Sequence, residues 1–176
     1  NEQIAVERSH FAHEALHDPL TGLSNRKLFF TRAQEAVDYA LAHEHKAAFI
    51  YLDLDDFKAI NDELGHDMGD EVLNAVAQRL KSNVRSIDTV ARLGGDEFAI
   101  VLHGIERVDV AEKIVKKLQL ALREPLQVGQ VSLIANGSMG VAVAPDDGQD
   151  VDLLLRLADE AMYRAKEKST VCHDYL

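Results

Sequence analysis

The segment TVARLGGDEFAIVL, Thr89 to Leu102, constrains the fold more than any other. Two strand-like runs, Thr89 to Leu93 and Asp96 to Leu102, are joined by Gly94-Gly95. A two-residue primed turn needs positive φ, which glycine adopts without steric cost. The spacing predicts a β-hairpin. Upstream, Ala47 to Leu52 in KAAFIYLDLDDF is short, apolar and closed by carboxylates. That is the pattern of a strand buried on both faces whose end is exposed.

Helical spacing fills the remainder. Phe29, Ala33, Val37, Ala40 and Leu41 predict a helix over 26–42, and Val110, Ile114, Leu118, Ala121 and Leu122 predict one over 108–123. A short helix over 56–64 and a longer one carrying Val72, Leu73, Val76 and Leu80 follow the first strand, with Gly65 and Gly69 bracketing the turn between them. A β region spans 126–144 and a last helix 151–166. Residues 1–17 are a polar helix with sparse apolar positions (Ile4, Phe11, Leu16), which predicts a stalk entering a single domain over 18–176. Strands alternating with helices around a hairpin give an α/β class, an α+β sandwich of one sheet covered by helices.

With 19 basic and 30 acidic residues the net charge is -11, which disfavours a nucleic-acid or anionic-membrane surface. A small ligand brought in with cations fits better. The lone cysteine, Cys172, cannot form an internal disulfide, and no signal peptide or membrane span is present, so a cytoplasmic location is expected. A start at Asn1 without Met suggests a piece of a longer protein, and a membrane anchor upstream of it is compatible with that.

Two acidic clusters close two strands: Asp53-Leu54-Asp55-Asp56 and Asp96-Glu97. If the strands are neighbours the carboxylates converge, supplying the hard oxygen ligands that Mg²⁺ takes while keeping waters and phosphate oxygens. Two such cations can activate a hydroxyl and stabilise a leaving phosphate in line. Asp55-Asp56-Phe57-Lys58 lies between strand and helix, where backbone N–H groups can cradle phosphate and Lys58 can add a charge. Asn61 and Asp70 flank Gly65-His66 and can face one pocket. An ionised Asp accepts from two adjacent N–H donors, which guanine offers at N1 and N2 and adenine does not. Strand alternation raises one conflict, because it sends Asp96 and Glu97 to opposite faces. Both serve one site only if the turn distorts the strand start.

Three motifs in order carry a resemblance. ARLGGDEFAIVL resembles the central hairpin of the GGDEF family, Asp18 to Arg26 (DPLTGLSNR) its opening D-x-L-T-G-L-x-N-R element, and LDLDDFKAINDELGHDMGDEVL its first active-site strand and helix. The resemblance spans about Asp18 to Lys166. It implies a mostly antiparallel sheet like that of nucleotide cyclases and polymerase palms, and a diguanylate cyclase that condenses two GTP into cyclic dimeric GMP (c-di-GMP) across a homodimer. It further implies Asp53, the Leu54 carbonyl and Asp96 as ligands of two Mg²⁺ or Mn²⁺ ions. Glu97 would aid metal binding or deprotonate the 3′-OH. Asn61 and Asp70, with His66 nearby, would bind guanine; Phe57, Lys58 and Lys166 would hold the phosphates. Where the family commonly has Gly-Arg-Asn after that lysine, this chain has Ser169-Thr170-Val171, which weakens the implied triphosphate contact and leaves Lys168 to compensate.

Arg85-Ser86-Ile87-Asp88 precedes Gly94 by a spacer of five residues. An Arg and Asp at that spacing are commonly a surface ion pair. In the family, R-x-x-D at this distance is the inhibitory product site: the guanidinium can bond guanine O6 and N7 or phosphate, and the Asp can accept from guanine N–H groups. The alternative to catalysis is a GGDEF module that only binds GTP or c-di-GMP as a receptor. His13-Glu14-Ala15-Leu16-His17 also fits the zinc-protease pattern H-E-x-x-H. We read it as coincidence, because Asp18-Pro19 stops the helix at once and no third ligand follows.

Overall fold

The computed structural model describes residues 2–174, apart from the side chains of residues 14 and 169–174. Glu14, Ser169, Thr170, Val171 and Cys172 are therefore placed by their backbone alone, their side chains lying outside the described residues.

The strand predicted from the KAAFIYLDLDDF run is β1 (Lys46–Leu54), and it lies inside the sheet because both its faces are apolar. Phe49 and Tyr51 point one way, Ile50 and Leu52 the other, and all four are buried. β1 pairs antiparallel with β3 (Glu97–Ile105) on one side and β6 (Gly137–Ala144) on the other. With β2 (Thr89–Gly94) the sheet order is β2-β3-β1-β6. The mostly antiparallel expectation holds. The predicted β region over 126–144 divides into a separate small hairpin, β4 (Leu126–Val128) with β5 (Val131–Leu133), and β6.

Helices cover both faces. α2 (Arg26–His43) and α6 (Val151–Asp174) pack on the Phe49 and Tyr51 side through Phe29, Leu154 and Met162. α4 (His66–Ser82) and α5 (Val108–Arg123) pack on the Ile50 and Leu52 side through Val72, Leu80 and Leu118. α3 (Phe57–Leu64) joins β1 to α4. α6 approaches β6 so closely at Gly140 that an added Cβ would lie 2.1 Å from both the Ala158 carbonyl oxygen and the Met162 nitrogen. Only a residue without a side chain permits that contact.

The expected stalk is α1 (Glu2–Leu16), with Ile4, Val6 and Phe11 exposed. Its exit is fixed by Asn25. That side chain accepts from Leu28 N at 3.0 Å, capping α2, and donates to the Ala15 carbonyl at 2.8 Å. Among the described residues no helix is long and apolar enough to cross a membrane.

The predicted hairpin forms with its turn moved by one residue. Gly94 pairs with Glu97, a bulge separates Arg92 from Gly94, and the two turn residues are Gly95 and Asp96. Gly95 has φ +50° and Gly94 +148°, so both glycines are needed, but Gly94 closes the strand and does not sit in the turn.

Candidate active site

Because β1 and β3 are neighbours, the two acidic clusters meet, with Asp53 directly opposite Glu97. Opposed residues share a face, here the face of Tyr51 and α6. Asp96 escapes strand alternation because it occupies the turn. Its carbonyl accepts from Leu54 N at 3.3 Å, and its carboxyl lies beside Asp53. The shifted turn thus takes Asp96 out of the strand alternation that the sequence implied.

The cluster is electrostatically incomplete. Asp53 Oδ1 is buried without a hydrogen-bond partner, while Oδ2 accepts from Lys166 Nζ at 2.7 Å. The same ammonium lies 3.4 Å from the Leu54 carbonyl and 3.8 Å from Asp55 Oδ1, which also accepts from Ser138 Oγ at 2.8 Å. Burial, and then the Asp53 carboxylate, push the Asp96 carboxyl up to about 6. Burial works to lower Lys166, but its bond to Asp53 and the surrounding carboxylates raise it. Asp159 on α6 is raised as well, by burial and then by Asp53.

An orphaned carboxylate oxygen, a second carboxyl whose pKa is raised by burial and by its carboxylate neighbour, and a main-chain carbonyl all call for positive charge. They are hard oxygen donors, so the residues fit Mg²⁺ or Mn²⁺. Among the described residues no three His, Cys, Asp or Glu side chains converge as a ready metal cage.

Glu97 Oε2 accepts from the Tyr51 hydroxyl at 3.1 Å, a contact that sequence reasoning missed. Burial and then Glu97 hold that phenol well above the usual tyrosine range, while Arg26 works the other way. The missing signal was available: Tyr51 lies two residues before Asp53 on a strand and so shares its face.

On the other side of the β1 end, Asp56 adopts φ 56° and makes no side-chain cap to α3. Phe57 is buried beneath the helix start and Lys58 is exposed on its first turn. Asn61 is brought against α4: a Cβ added at Gly69 would lie 1.8 Å from Asn61 Oδ1. Asn61 and the exposed Asp70 therefore border one region, with His66 exposed at the start of α4.

Arg85 and Asp88 lie elsewhere, in a cleft of about 730 Å³ whose lining includes Arg32, Lys81 and His103. The Asp88 side chain is 0% exposed and that of Arg85 52%. Asp88 Oδ2 accepts from Arg85 N and Nε at 2.9 and 3.1 Å; Oδ1 accepts from Arg85 Nη2 and His103 N at 2.9 and 3.0 Å. The pair is thus not a loose surface bridge. With four donors on it, Asp88 orients Arg85, and a ligand N–H could reach it only by displacing one of them.

Among the described residues, His13 and His17 belong to no group of three or more metal-ligating side chains. His17 has left α1, its Nδ1 is 3.2 Å from the Gly22 carbonyl, and its ring stacks on His13 at 4.0 Å and 17°. Near-parallel stacked rings aim their in-plane lone pairs side by side, away from a common point.

Comparison with known proteins agrees with this geometry. The family model "Diguanylate cyclase, GGDEF domain" matches residues 15–171. MucR of Pseudomonas aeruginosa, a bifunctional diguanylate cyclase/cyclic di-GMP phosphodiesterase, is 43% identical over 157 residues, covering 88% of this chain and 22% of MucR. The diguanylate cyclase TpbB of the same species is 38% identical over 172 residues, 95% of this chain and 39% of TpbB. This chain therefore spans well under half the length of either relative. The solved GGDEF domain of TpbB aligns with a TM-score of 0.84 at 37% identity, covering 86% of this chain and 89% of that one. The coiled coil and GGDEF domain of DgcB from Caulobacter crescentus, in complex with c-di-GMP, aligns with a TM-score of 0.84 at 26% identity, covering 95% and 88%. With its hairpin, its acidic strand ends and a family match over nearly its whole length, the chain belongs to the GGDEF-domain diguanylate cyclase family.

Proposed function

We propose that this domain is a diguanylate cyclase that joins two GTP into c-di-GMP and releases two pyrophosphates, one GTP being held by each subunit of a homodimer. The observation that carries this reading is the pairing of β1 with β3, which sets Asp53 opposite Glu97 and the Asp96 carboxyl beside Asp53, one oxygen of which is buried and unpartnered. Two divalent cations bound there with the nucleotide would offset the carboxylate charge and polarise the attacking hydroxyl and leaving phosphate. Asp53, Asp96 and the Leu54 carbonyl would hold them. Glu97 takes the proton of the ribose 3′-OH as that oxygen bonds to the α-phosphorus of the partner-held GTP and the bond to pyrophosphate breaks.

The other residues bind and orient. The uncapped start of α3 offers backbone N–H groups to phosphate, with Phe57 fixing the loop from below and Lys58 and Lys166 adding charge. Asn61 and Asp70 read the guanine edge, bordered by His66. One site holds only one of the two nucleotides, so turnover requires dimerisation. Arg85, held by Asp88 at a cleft of about 730 Å³, binds the c-di-GMP product and inhibits. A cytoplasmic location fits GTP as substrate.

A receptor that binds c-di-GMP without making it is the second reading. It is favoured by one observation: a cleft of about 730 Å³ is lined by Arg85 and by none of Asp53, Asp96 and Glu97. Incubation with GTP and Mg²⁺ over a range of protein concentrations, with the nucleotides separated, decides between the two. The cyclase yields c-di-GMP at a rate per subunit that rises with concentration. Binding of c-di-GMP with no product formed would leave the receptor.

A further inference from the structure

We propose that Tyr51 is a positioning residue for Glu97: its hydroxyl fixes one carboxylate oxygen so that the other is presented to the reacting 3′-OH. The inference rests on the cyclase reading of the site and assigns a new residue to it. Tyr51 is 6% exposed, in an apolar cluster with Phe49, Leu155, Ala158 and Met162. Packing alone would be satisfied by phenylalanine. A buried hydroxyl is costly without a partner, and here the partner is Glu97 Oε2 at 3.1 Å.

Strand register sets this contact. Tyr51 is flanked by Ala99 on β3 and Gly140 on β6, its directly opposed neighbours, and both are small. Asp53 opposes Glu97, so Tyr51 reaches Glu97 along the diagonal, the distance that suits an aromatic side chain. Glu97 alone would lose appreciable rotamer freedom on ordering. Tyrosine, with two stiff torsions locked by packing, supplies a fixed donor. Oε2 is thereby occupied and Oε1 remains for the reaction.

The test compares wild type, Tyr51→Phe, Glu97→Gln and the double variant for c-di-GMP formation, and compares crystal structures of wild type and Tyr51→Phe. In Tyr51→Phe, kcat is expected to fall on the order of tenfold, as for loss of one hydrogen bond to a charged group, with KM for GTP within about threefold. Tyr51→Phe should add nothing on the Glu97→Gln background, because it acts only through that carboxylate. Glu97 should populate more than one rotamer in the Tyr51→Phe crystal. A kcat within about twofold of wild type, losses that multiply in the double variant, or an unchanged single Glu97 rotamer would each overturn the proposal. If wild type makes no c-di-GMP, the cyclase reading fails on its own. The Glu97 rotamer then decides the positioning role, unchanged overturning it and dispersed supporting it.

Discussion

Arg92 Nη1 lies 3.1 Å from Asp18 Oδ1, and Nε of the same guanidinium donates to the Gly95 carbonyl at 2.9 Å. One side chain thus spans the exit of the α1 stalk and the turn that carries Asp96. Asp18 also accepts from Thr21 N and Oγ1 at 2.8 and 2.7 Å, and Arg92 N donates to the Ser24 carbonyl at 3.0 Å. The opening motif and the β2–β3 hairpin therefore form one hydrogen-bonded unit.

Arg92→Ala should lower both stability and turnover. Its ion pair is only 15% and 13% exposed, so removing one partner leaves a mostly buried carboxylate, at a cost of about 1–3 kcal/mol. Arg92→Lys keeps the charge but cannot reach Asp18 and Gly95 together, and should recover stability better than turnover. Urea unfolding and GTP turnover read the two effects separately.

Gly140→Ala should destabilise the domain by about 1–3 kcal/mol through overpacking. The atoms its Cβ meets belong to the α6 backbone, so the helix that carries Lys166 must move. Denaturant unfolding checks the stability, and a higher KM for GTP checks the displacement.

Gly69→Ala tests the proposed guanine-binding role of Asn61. The added Cβ collides with the end of the flexible Asn61 side chain, so Asn61 turns away at little cost to the fold. KM for GTP should rise about tenfold, as for one lost hydrogen bond to the base, with the melting temperature nearly unchanged.

In the metal-free domain, Asp96→Asn should be more stable than wild type at neutral pH. Burial and Asp53 raise the folded-state pKa from 3.8 to about 6, so the folded state holds the proton more tightly than the unfolded chain. Its contribution is fully present below the unfolded value, is lost as pH rises from about 4 to 6, and leaves a constant penalty above that. Solvent screening at this partly exposed group brings the penalty to about 1 kcal/mol. Melting curves in chelator from pH 3.5 to 8 should show the gap between the proteins open across that window. Added Mg²⁺ should close it by stabilising wild type more.

Arg85→Ala and Asp88→Ala should differ. Both abolish c-di-GMP inhibition, but Arg85 is half exposed, while Asp88→Ala also strips an acceptor from His103 N. Asp88→Ala should therefore cost about 1–3 kcal/mol more in unfolding free energy. Calorimetry with c-di-GMP and thermal melts distinguish them.

The sequence by itself determined the periodic elements and the chemistry. The apolar run of β1, the glycine-joined hairpin, a helix over 108–123 and carboxylates at the ends of two strands follow from local spacing, because side-chain period and glycine φ are properties of neighbouring residues. The tertiary structure decided what depends on partners far along the chain. Gly94-Gly95 permits more than one turn register, and the bonds of Arg92 to Gly95 and of Leu54 to Asp96 accompany the one that puts Asp96 in the turn and Glu97 opposite Asp53. The inward burial of Asp88 depends on His103 on another strand, and the reach of Tyr51 to Glu97 depends on a diagonal that exists only once β1 and β3 are paired. Register and burial are set by long-range packing, and no spacing along the chain encodes them alone.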